Sequence, residues 1–247
     1  MTLARPERRN AFDAALIADI TAAFADIGDA RAVVLAGEGE SFCAGADVEW
    51  QRSSIELTFD ENVADAKRLY RMCETIDRCP VPVVARVQGY ALGGGSGLVA
   101  CADVALAAPD AVFGFSEVKL GIIPAVISPF VLPKIGANAR RYFLTGERFD
   151  AGTALRIGLV HEVAEELDRA VAGIVGQLLT SGPEAVREGK RLIRERPTGE
   201  ETARIAARLR SGAEGQEGLR AFLEKRSARA PGGAPWGVYA DRQDTAK

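Results

Sequence analysis

The stretch GYALGGGSGLVACAD, residues 89–103, decides how this chain folds around it. An apolar, β-branched run at 83–87 (VVARV) precedes its glycines, Gly93–Gly95, and a second apolar run follows at 104–107 (VALA). This order predicts a strand, a tight turn, a small-residue helix and another strand, which is an α/β arrangement. Glycine allows another atom to come close to the main chain, and the first N–H groups of a helix have no internal partner. The stretch therefore predicts a helix N-terminus that can donate hydrogen bonds to a negatively charged group.

Two familiar phosphate-binding patterns are absent from this turn. No Gly-Lys-Ser/Thr sequence follows the glycines, so the turn is not a P-loop. The GxGxxG spacing is also absent, and no acidic residue ends the following strand, so it is not a dinucleotide fingerprint. The glycines alone do not identify a ligand.

The alternation of strands and helices continues on both sides of the turn. Residues 32–36 (AVVLA) predict a buried strand, and apolar spacing over 62–76 predicts a helix that ends before Pro80. Farther along, a short strand is expected at 159–163, and helices are expected at 138–146, 151–157, 166–180, 184–195 and 201–227. We therefore predict an α/β core over residues 1–188 and a helical C-terminal region over residues 189–247.

Composition excludes several classes of protein. The chain has 247 residues, is 47% hydrophobic and carries a formal net charge of −3, which argues against binding nucleic acid by counterion release. No apolar run is long enough to span a bilayer, and the first residues lack the apolar segment of a secretory signal. The four cysteines show no metal-binding spacing, so we expect reduced thiols, no structural metal and a cytoplasmic location.

A second glycine-containing turn is SFCAGAD, residues 41–47, placed soon after the strand predicted at 32–36. Successive small residues let a ligand approach the main chain, whose N–H groups stay free to donate. The same residues would also suit a tight turn packed beneath a loop. From this segment alone, the two interpretations are equally supported.

A third segment, FGFSEVKLGIIP at residues 113–124, places one carboxylate, Glu117, in apolar surroundings. Such surroundings raise the pKa of a carboxyl group and suit it to acid–base catalysis. The alternative is a glutamate at a helix start that accepts hydrogen bonds from local N–H groups.

Together with RPERRNAF (5–12), FLTGERFDAGTALRIGLVHEV (143–163) and GLRAFLEKR (218–226), these segments resemble the enoyl-CoA hydratase/isomerase (crotonase) family. They occur in the family's order and spacing over nearly the whole chain. The resemblance implies a crotonase-like spiral of ββα units followed by a C-terminal helical region. That region assembles the family's members into a homotrimer, often paired into a hexamer.

The resemblance also assigns roles to individual residues. It places an oxyanion hole at the N–H groups of Ala46 and Gly94, with Glu117 as the catalytic carboxyl group. The substrate it implies is an acyl-CoA thioester, so coenzyme A arrives with the substrate and no cofactor is bound permanently. Contacts to coenzyme A are expected from Arg9, Ala11, Ala44, Ala46, Asp47, Val48, Gly93 and Gly94, and from Phe222 and Lys225 of a neighbouring subunit.

One departure from the family pattern bears on the mechanism. Many hydratases of the family carry a second glutamate at the position that is Gly97 here, and glycine cannot transfer a proton. Glu117 acting alone could add water to a 2-enoyl thioester, or could move a proton from C2 to C4 as an isomerase does. A non-catalytic acyl-CoA binder and an RNA-binding member remain as further alternatives.

The wording of residues 93–103 and 114–131 is closest to the bacterial methylglutaconyl-CoA hydratases. A substrate of that kind ends in a free carboxylate. We therefore expect a cation on the acyl pocket, with Arg68, Arg71 and Lys119 as the candidates.

Overall fold

The computed structural model describes residues 1–229 and 233–239, and these form two compact units. The first unit consists of Met1–Cys79 and Val83–Val171; the second consists of Pro80–Pro82 and the described residues from Ala172 onward. The predicted boundary at residue 188 falls inside the second unit. Every strand that the described residues form lies in the first unit.

The strands form two sheets. Their bounds are β1 (Thr2–Leu3), β2 (Val33–Gly37), β3 (Val83–Val87), β4 (Tyr90–Leu92), β5 (Val104–Ala107), β6 (Val112–Gly114), β7 (Arg148–Asp150) and β8 (Glu162–Val163). A five-stranded sheet has the order β1-β2-β3-β5-β8 and is parallel throughout. A three-stranded sheet has the order β4-β6-β7, with β6 and β7 antiparallel. The apolar runs predicted as strands form the centre of the parallel sheet, where both faces are buried.

Eleven α-helices occur in the described residues. They are α1 (Ala14–Ala25), α2 (Val48–Ser53), α3 (Phe59–Asp77), α4 (Gly94–Cys101), α5 (Ser128–Ile135), α6 (Ala139–Thr145), α7 (Ala151–Ile157), α8 (Leu167–Leu179), α9 (Pro183–Glu195), α10 (Glu200–Ser211) and α11 (Ala213–Leu223). Local signals account for several of their starts. The Asp13 side chain caps α1, and Thr58 and Glu61 form a capping box on α3.

Three elements differ from the prediction. The single helix expected at 201–227 is divided at Gly212, whose extended backbone (φ −69°, ψ 162°) ends α10 and begins α11. The strand expected at 159–163 is only Glu162–Val163, because the N–H groups of Leu159 and Val160 still donate to the Ala154 carbonyl of α7. The helix α1 is not among the predicted elements, although its cap and its buried Ile17, Ile20 and Phe24 carry a helix signal.

None of the helices in residues 1–229 and 233–239 is long and apolar enough to cross a membrane. No group of three or more His, Cys, Asp or Glu side chains in those residues is arranged to hold a metal ion.

Candidate active site

A cavity of about 480 Å³ in the first unit brings together the three segments that the sequence singled out. Its catalytic part is lined by the main chain of residues 44–46 and 93–94 and by Glu117. The rest of the wall is mostly apolar, with contributions from Phe12, Trp50, Ala66, Leu69, Leu92, Leu120, Ile122, Ile123, Pro124, Ala125, Val126 and Ile127. An apolar cavity with a few converging polar groups is typical of a small-molecule site.

Backbone hydrogen bonds hold the turn at residues 41–47 against β4. The N–H of Cys43 donates to the carbonyl of Tyr90 (2.9 Å), and the N–H of Leu92 donates to the carbonyl of Cys43 (3.0 Å). On the other side of the turn, Phe12 donates to Gly45 (2.8 Å) and receives a hydrogen bond from the N–H of residue 47 (2.9 Å). The N–H of Ala46 takes part in none of the backbone hydrogen bonds found among the described residues. It is therefore available to a ligand in the cavity.

The second available N–H belongs to Gly94, the first residue of α4. Gly93 precedes it with φ 52° and ψ −120°, a conformation that is essentially restricted to glycine. A Cβ built on Gly45 would lie 3.8 Å from the Gly94 nitrogen, so the two turns are in contact at this point. The structure thus places residues 46 and 94 on the wall of one cavity, and the N–H group of each takes part in none of the backbone hydrogen bonds found between segments of the described residues. Two adjacent donors, one at a helix N-terminus, can stabilise a developing oxyanion.

Packing makes glycine necessary at position 94 for a second reason. A Cβ on Gly94 would lie 2.2 Å from the Cζ atom of Phe12. The Phe12 ring is fully buried and packs edge-on against Trp50 at a centroid distance of 6.0 Å. A side chain at residue 94 would displace this ring and, with it, the turn that presents Ala46.

Glu117 and Asp65 are the acids among the described residues that line the cavity, and Glu117 is the one that lies beside Gly93. Its Oε2 atom is buried and has no hydrogen-bond partner among the described residues. A Cβ on Gly93 would lie 3.2 Å from its Oε1 atom, which places the carboxyl group beside the start of α4. Burial raises the pKa of the Glu117 carboxyl above its usual value, and a hydrogen bond from its own backbone N–H opposes this only in part. The acid–base interpretation of Glu117 is the one that this environment favours.

The position of the family's second glutamate is filled by an apolar side chain. Gly97 is buried in α4, and a Cβ placed there would lie 2.4 Å from Cγ2 and 2.9 Å from Cβ of Ile127. Ile127 is itself 2% exposed and lines the cavity. The space beside residue 97 is therefore taken by Ile127, and Glu117 is the carboxyl group that the described residues place beside Gly93.

The residues predicted to contact coenzyme A divide into three groups. Those that line the cavity are Ala44, Ala46, Gly93 and Gly94, whereas Arg9, Ala11, Asp47 and Val48 lie outside its wall. The Asp47 side chain caps α2 by accepting from the Glu49 N–H (2.8 Å), so it serves the turn. Phe222 and Lys225 belong to the second unit, and their role across a subunit interface stays a prediction.

The cations expected on the acyl pocket are elsewhere. Arg68, Arg71 and Lys119 do not line the cavity; the Arg68 guanidinium forms an ion pair with Asp65, which does line it. The prediction of these three residues was wrong: α3 turns Asp65, rather than Arg68 or Arg71, toward the cavity, and the Lys119 side chain lies against Gly146, with its Cγ 3.1 Å from the place of a Gly146 Cβ. Among the described residues, the cation that lines the wall is Arg148, which is not one of the three predicted. Arg148 is the arginine of FLTGERF, one of the segments quoted above. Only the pairing of strands shows where that arginine lies.

Comparison with known proteins adds independent findings. A family model described as "Enoyl-CoA hydratase/isomerase" matches residues 1–230. A crotonyl-CoA hydratase of Syntrophomonas wolfei is 35% identical over 241 residues, covering 91% of this chain and 90% of that protein. The crystal structure of an enoyl-CoA hydratase from Shewanella pealeana superposes with a TM-score of 0.88 at 38% identity, over 93% of this chain and 91% of the other. An enoyl-CoA hydratase structure from Mycobacterium smegmatis gives 0.84 at 33% identity, over 92% and 93%.

Proposed function

Since this chain belongs to the enoyl-CoA hydratase/isomerase family, and so is an enzyme with that family's α/β fold, we propose that it adds water to 2-enoyl-CoA thioesters. The observation that carries the proposal is the arrangement of Glu117 beside two unpaired main-chain N–H groups, those of Ala46 and Gly94. The names of the relatives, which are hydratases, support the same reaction.

Each group has a defined part in the reaction. The thioester carbonyl oxygen accepts hydrogen bonds from Ala46 and Gly94. The ionised Glu117 takes a proton from a water molecule as the water oxygen bonds to C3. The electrons of the C2–C3 double bond move toward the carbonyl, and the resulting enolate is held by the two amides. Protonated Glu117 then gives its proton to C2, which returns the carboxylate and completes the addition of water.

A single carboxyl group can perform both proton transfers because the two occur in sequence on the same face of the site. A raised pKa makes the Glu117 carboxylate a stronger base and its acid form a reagent that persists nearer to neutral pH. The space at Gly97 is closed by Ile127, so no second carboxylate takes part.

Isomerisation is the second candidate, and the same closed space at Gly97 favours it. In that reaction Glu117 would take a proton from C2 of a 3-enoyl thioester and return it at C4, with no water involved. The alternative of a non-catalytic acyl-CoA binder is less well supported, because a binder has no need for a buried carboxyl group without a hydrogen-bond partner.

The finer aspects of the function are also proposals. We propose a short acyl chain that ends in a carboxylate, as in 3-methylglutaconyl-CoA, and a cytoplasmic homotrimer or hexamer. Apolar side chains on α11 support assembly, since Leu219, Phe222 and Leu223 are 48%, 52% and 78% exposed in the single chain. Light scattering on the purified protein would measure the oligomeric state directly.

The experiment that tests the reaction compares the purified protein with Glu117→Gln on two substrates. Loss of the conjugated enoyl absorbance from crotonyl-CoA reports hydration, and gain of that absorbance from a 3-enoyl-CoA reports isomerisation. We expect hydration by the natural protein and a loss of about 10²–10⁴-fold in the variant. The variant should still bind a saturated acyl-CoA. Hydration that survives Glu117→Gln would rule out the assigned role of this residue.

A further inference from the structure

Arg148 is placed to interact with the substrate although none of the sequence signals pointed to it. Arg148 is the first residue of β7, and its Cα pairs with that of Gly114 on the neighbouring strand β6. Gly114 in turn pairs with Leu92 on β4, the strand at the other edge of this sheet. Because Gly114 has no side chain, the Arg148 side chain lies across β6, with its Cγ 3.5 Å from the place a Gly114 Cβ would occupy. It reaches Tyr90, and its Cζ is 5.6 Å from the centre of that ring.

The guanidinium of Arg148 has no acidic partner in the described part of the chain. Its chain neighbour Glu147 pairs with Arg141. Asp65, which lies on the cavity wall, pairs with Arg68. No ion pair of Arg148 is found among the described residues, and the residue is exposed, so its charge is solvated rather than matched by an acid. A second guanidinium, that of Arg9, lies 5.5 Å from the same tyrosine ring and adds to the positive potential.

Charge balance around the cavity indicates what this cation is for. Asp65 pairs with Arg68, and Glu117, the other acid of the wall, takes part in no ion pair found among the described residues, so the Arg148 guanidinium is left to bind a substrate anion on a wall that is otherwise mostly apolar. A planar guanidinium binds a carboxylate through two parallel hydrogen bonds. We propose that Arg148 binds a carboxylate at the far end of the substrate's acyl chain and so selects dicarboxylic enoyl thioesters over simple ones. This inference rests on the proposed hydratase function.

The other anionic groups of such a substrate are the phosphates of coenzyme A. The position of Arg148 argues against the phosphates as its partners. The carbonyl of Gly114, the strand partner of Arg148, accepts a hydrogen bond from the N–H of Gly93 (2.8 Å), immediately before the oxyanion turn. Arg148 therefore starts close to the reacting thioester, whereas the phosphates are separated from the thioester by the whole pantetheine arm. An acyl carboxylate is only a few bonds from the reacting carbon atoms.

The test compares Arg148→Gln with the unchanged protein on glutaconyl-CoA, crotonyl-CoA and crotonyl-pantetheine, which lacks the phosphates. Arg156→Gln is the matched control, because Arg156 is an exposed arginine of α7 that hydrogen-bonds Thr153 and does not line the cavity. We expect Arg148→Gln to lower kcat/KM for glutaconyl-CoA by about 10- to 100-fold and to change that for crotonyl-CoA by less than about 3-fold. Arg148→Lys, which keeps the charge, should recover part of the loss.

Two outcomes would overturn the inference. An equal loss on both CoA esters, with none on crotonyl-pantetheine, would assign Arg148 to the phosphates of coenzyme A. An equal loss on all three substrates would assign it a role in the fold of the site. Failure of the unchanged protein to hydrate any of the thioesters is a different result, because it would refute the proposed function itself.

Discussion

The contact between Gly97 and Ile127 gives the sharpest prediction about the site. A Cβ at residue 97 would lie 2.4 Å from Ile127 Cγ2, about 1 Å short of the 3.4 Å at which ordinary van der Waals contact begins. Ile127 is 2% exposed and cannot move aside into solvent. We therefore expect Gly97→Ala to lower the free energy of unfolding by about 1–3 kcal/mol, the usual cost of forcing an extra carbon into a packed core.

When Ile127 is shortened to alanine, adding a methyl group at residue 97 should stabilise the protein instead of destabilising it. Ile127→Ala alone should cost about 2–5 kcal/mol, because it leaves a void in the core. In the double variant the new methyl group at residue 97 enters space that Ile127 has vacated. The combined cost should therefore be smaller than the sum of the two single costs, with a coupling of at least about 1 kcal/mol.

Urea unfolding of the four proteins, followed by circular dichroism, measures all three differences. The matched control replaces Gly173, an α8 glycine whose Cβ would have no atom within 4 Å, by alanine; it should be neutral or stabilising. Strict additivity of the two single changes, or a neutral Gly97→Ala, would show that Ile127 does not occupy this space. The single-carboxyl mechanism would then lose its structural basis.

Three further outcomes follow from the structure. Hydration requires ionised Glu117, so kcat/KM should fall as pH is lowered through the raised pKa of this carboxyl group, which lies above the usual 4.5. A plot of kcat/KM against pH that stays flat down to pH 4.5 would contradict this. Because that pKa is raised by folding, the protonated carboxyl stabilises the native state at low pH and this contribution is lost as pH rises. Thermal unfolding should therefore show Glu117→Gln more stable than the natural protein at neutral pH, by a margin that narrows on acidification. The buried Asn10 amide donates to the carbonyls of Glu38 and Ser41 and accepts a hydrogen bond from the Arg5 N–H. Asn10→Ala should therefore lower the free energy of unfolding, measured in urea, by about 2–5 kcal/mol. A loss below about 1 kcal/mol would show that these hydrogen bonds are not needed for stability.

Short stretches of sequence predicted secondary structure correctly where their residue types suit only one kind of element. The runs at 83–87 and 104–107 are strands because a parallel sheet buries both faces, so nearly every residue is apolar. Helix α3 begins near its predicted start because Thr58 and Glu61 satisfy its first N–H groups. By contrast, the break at Gly212 competes with a favourable helical pattern on both sides, and only the packed structure decides between the two.

The three residues at the centre of the site could also be found from the sequence. Ala46 and Gly94 lie in turns whose small residues leave N–H groups exposed, and Glu117 is a lone carboxylate in an apolar segment. These local features mark the three segments, but the roles of Ala46, Gly94 and Glu117 came from the resemblance to the family, because each segment alone also fits a purely structural use. The residues of α3 were harder to assign, because helical spacing does not say which face meets the cavity.

By itself, the sequence determined the α/β order of the core, the two glycine turns and the acid that follows them, since backbone freedom and local polarity depend on adjacent residues. Only the tertiary structure decided that Ile127 fills the space beside Gly97 and that Arg148 lies across Gly114 to reach the cavity. Both facts join segments that are far apart along the chain. Their physical cause is the pairing of strands and the packing of side chains, which no short stretch of residues contains.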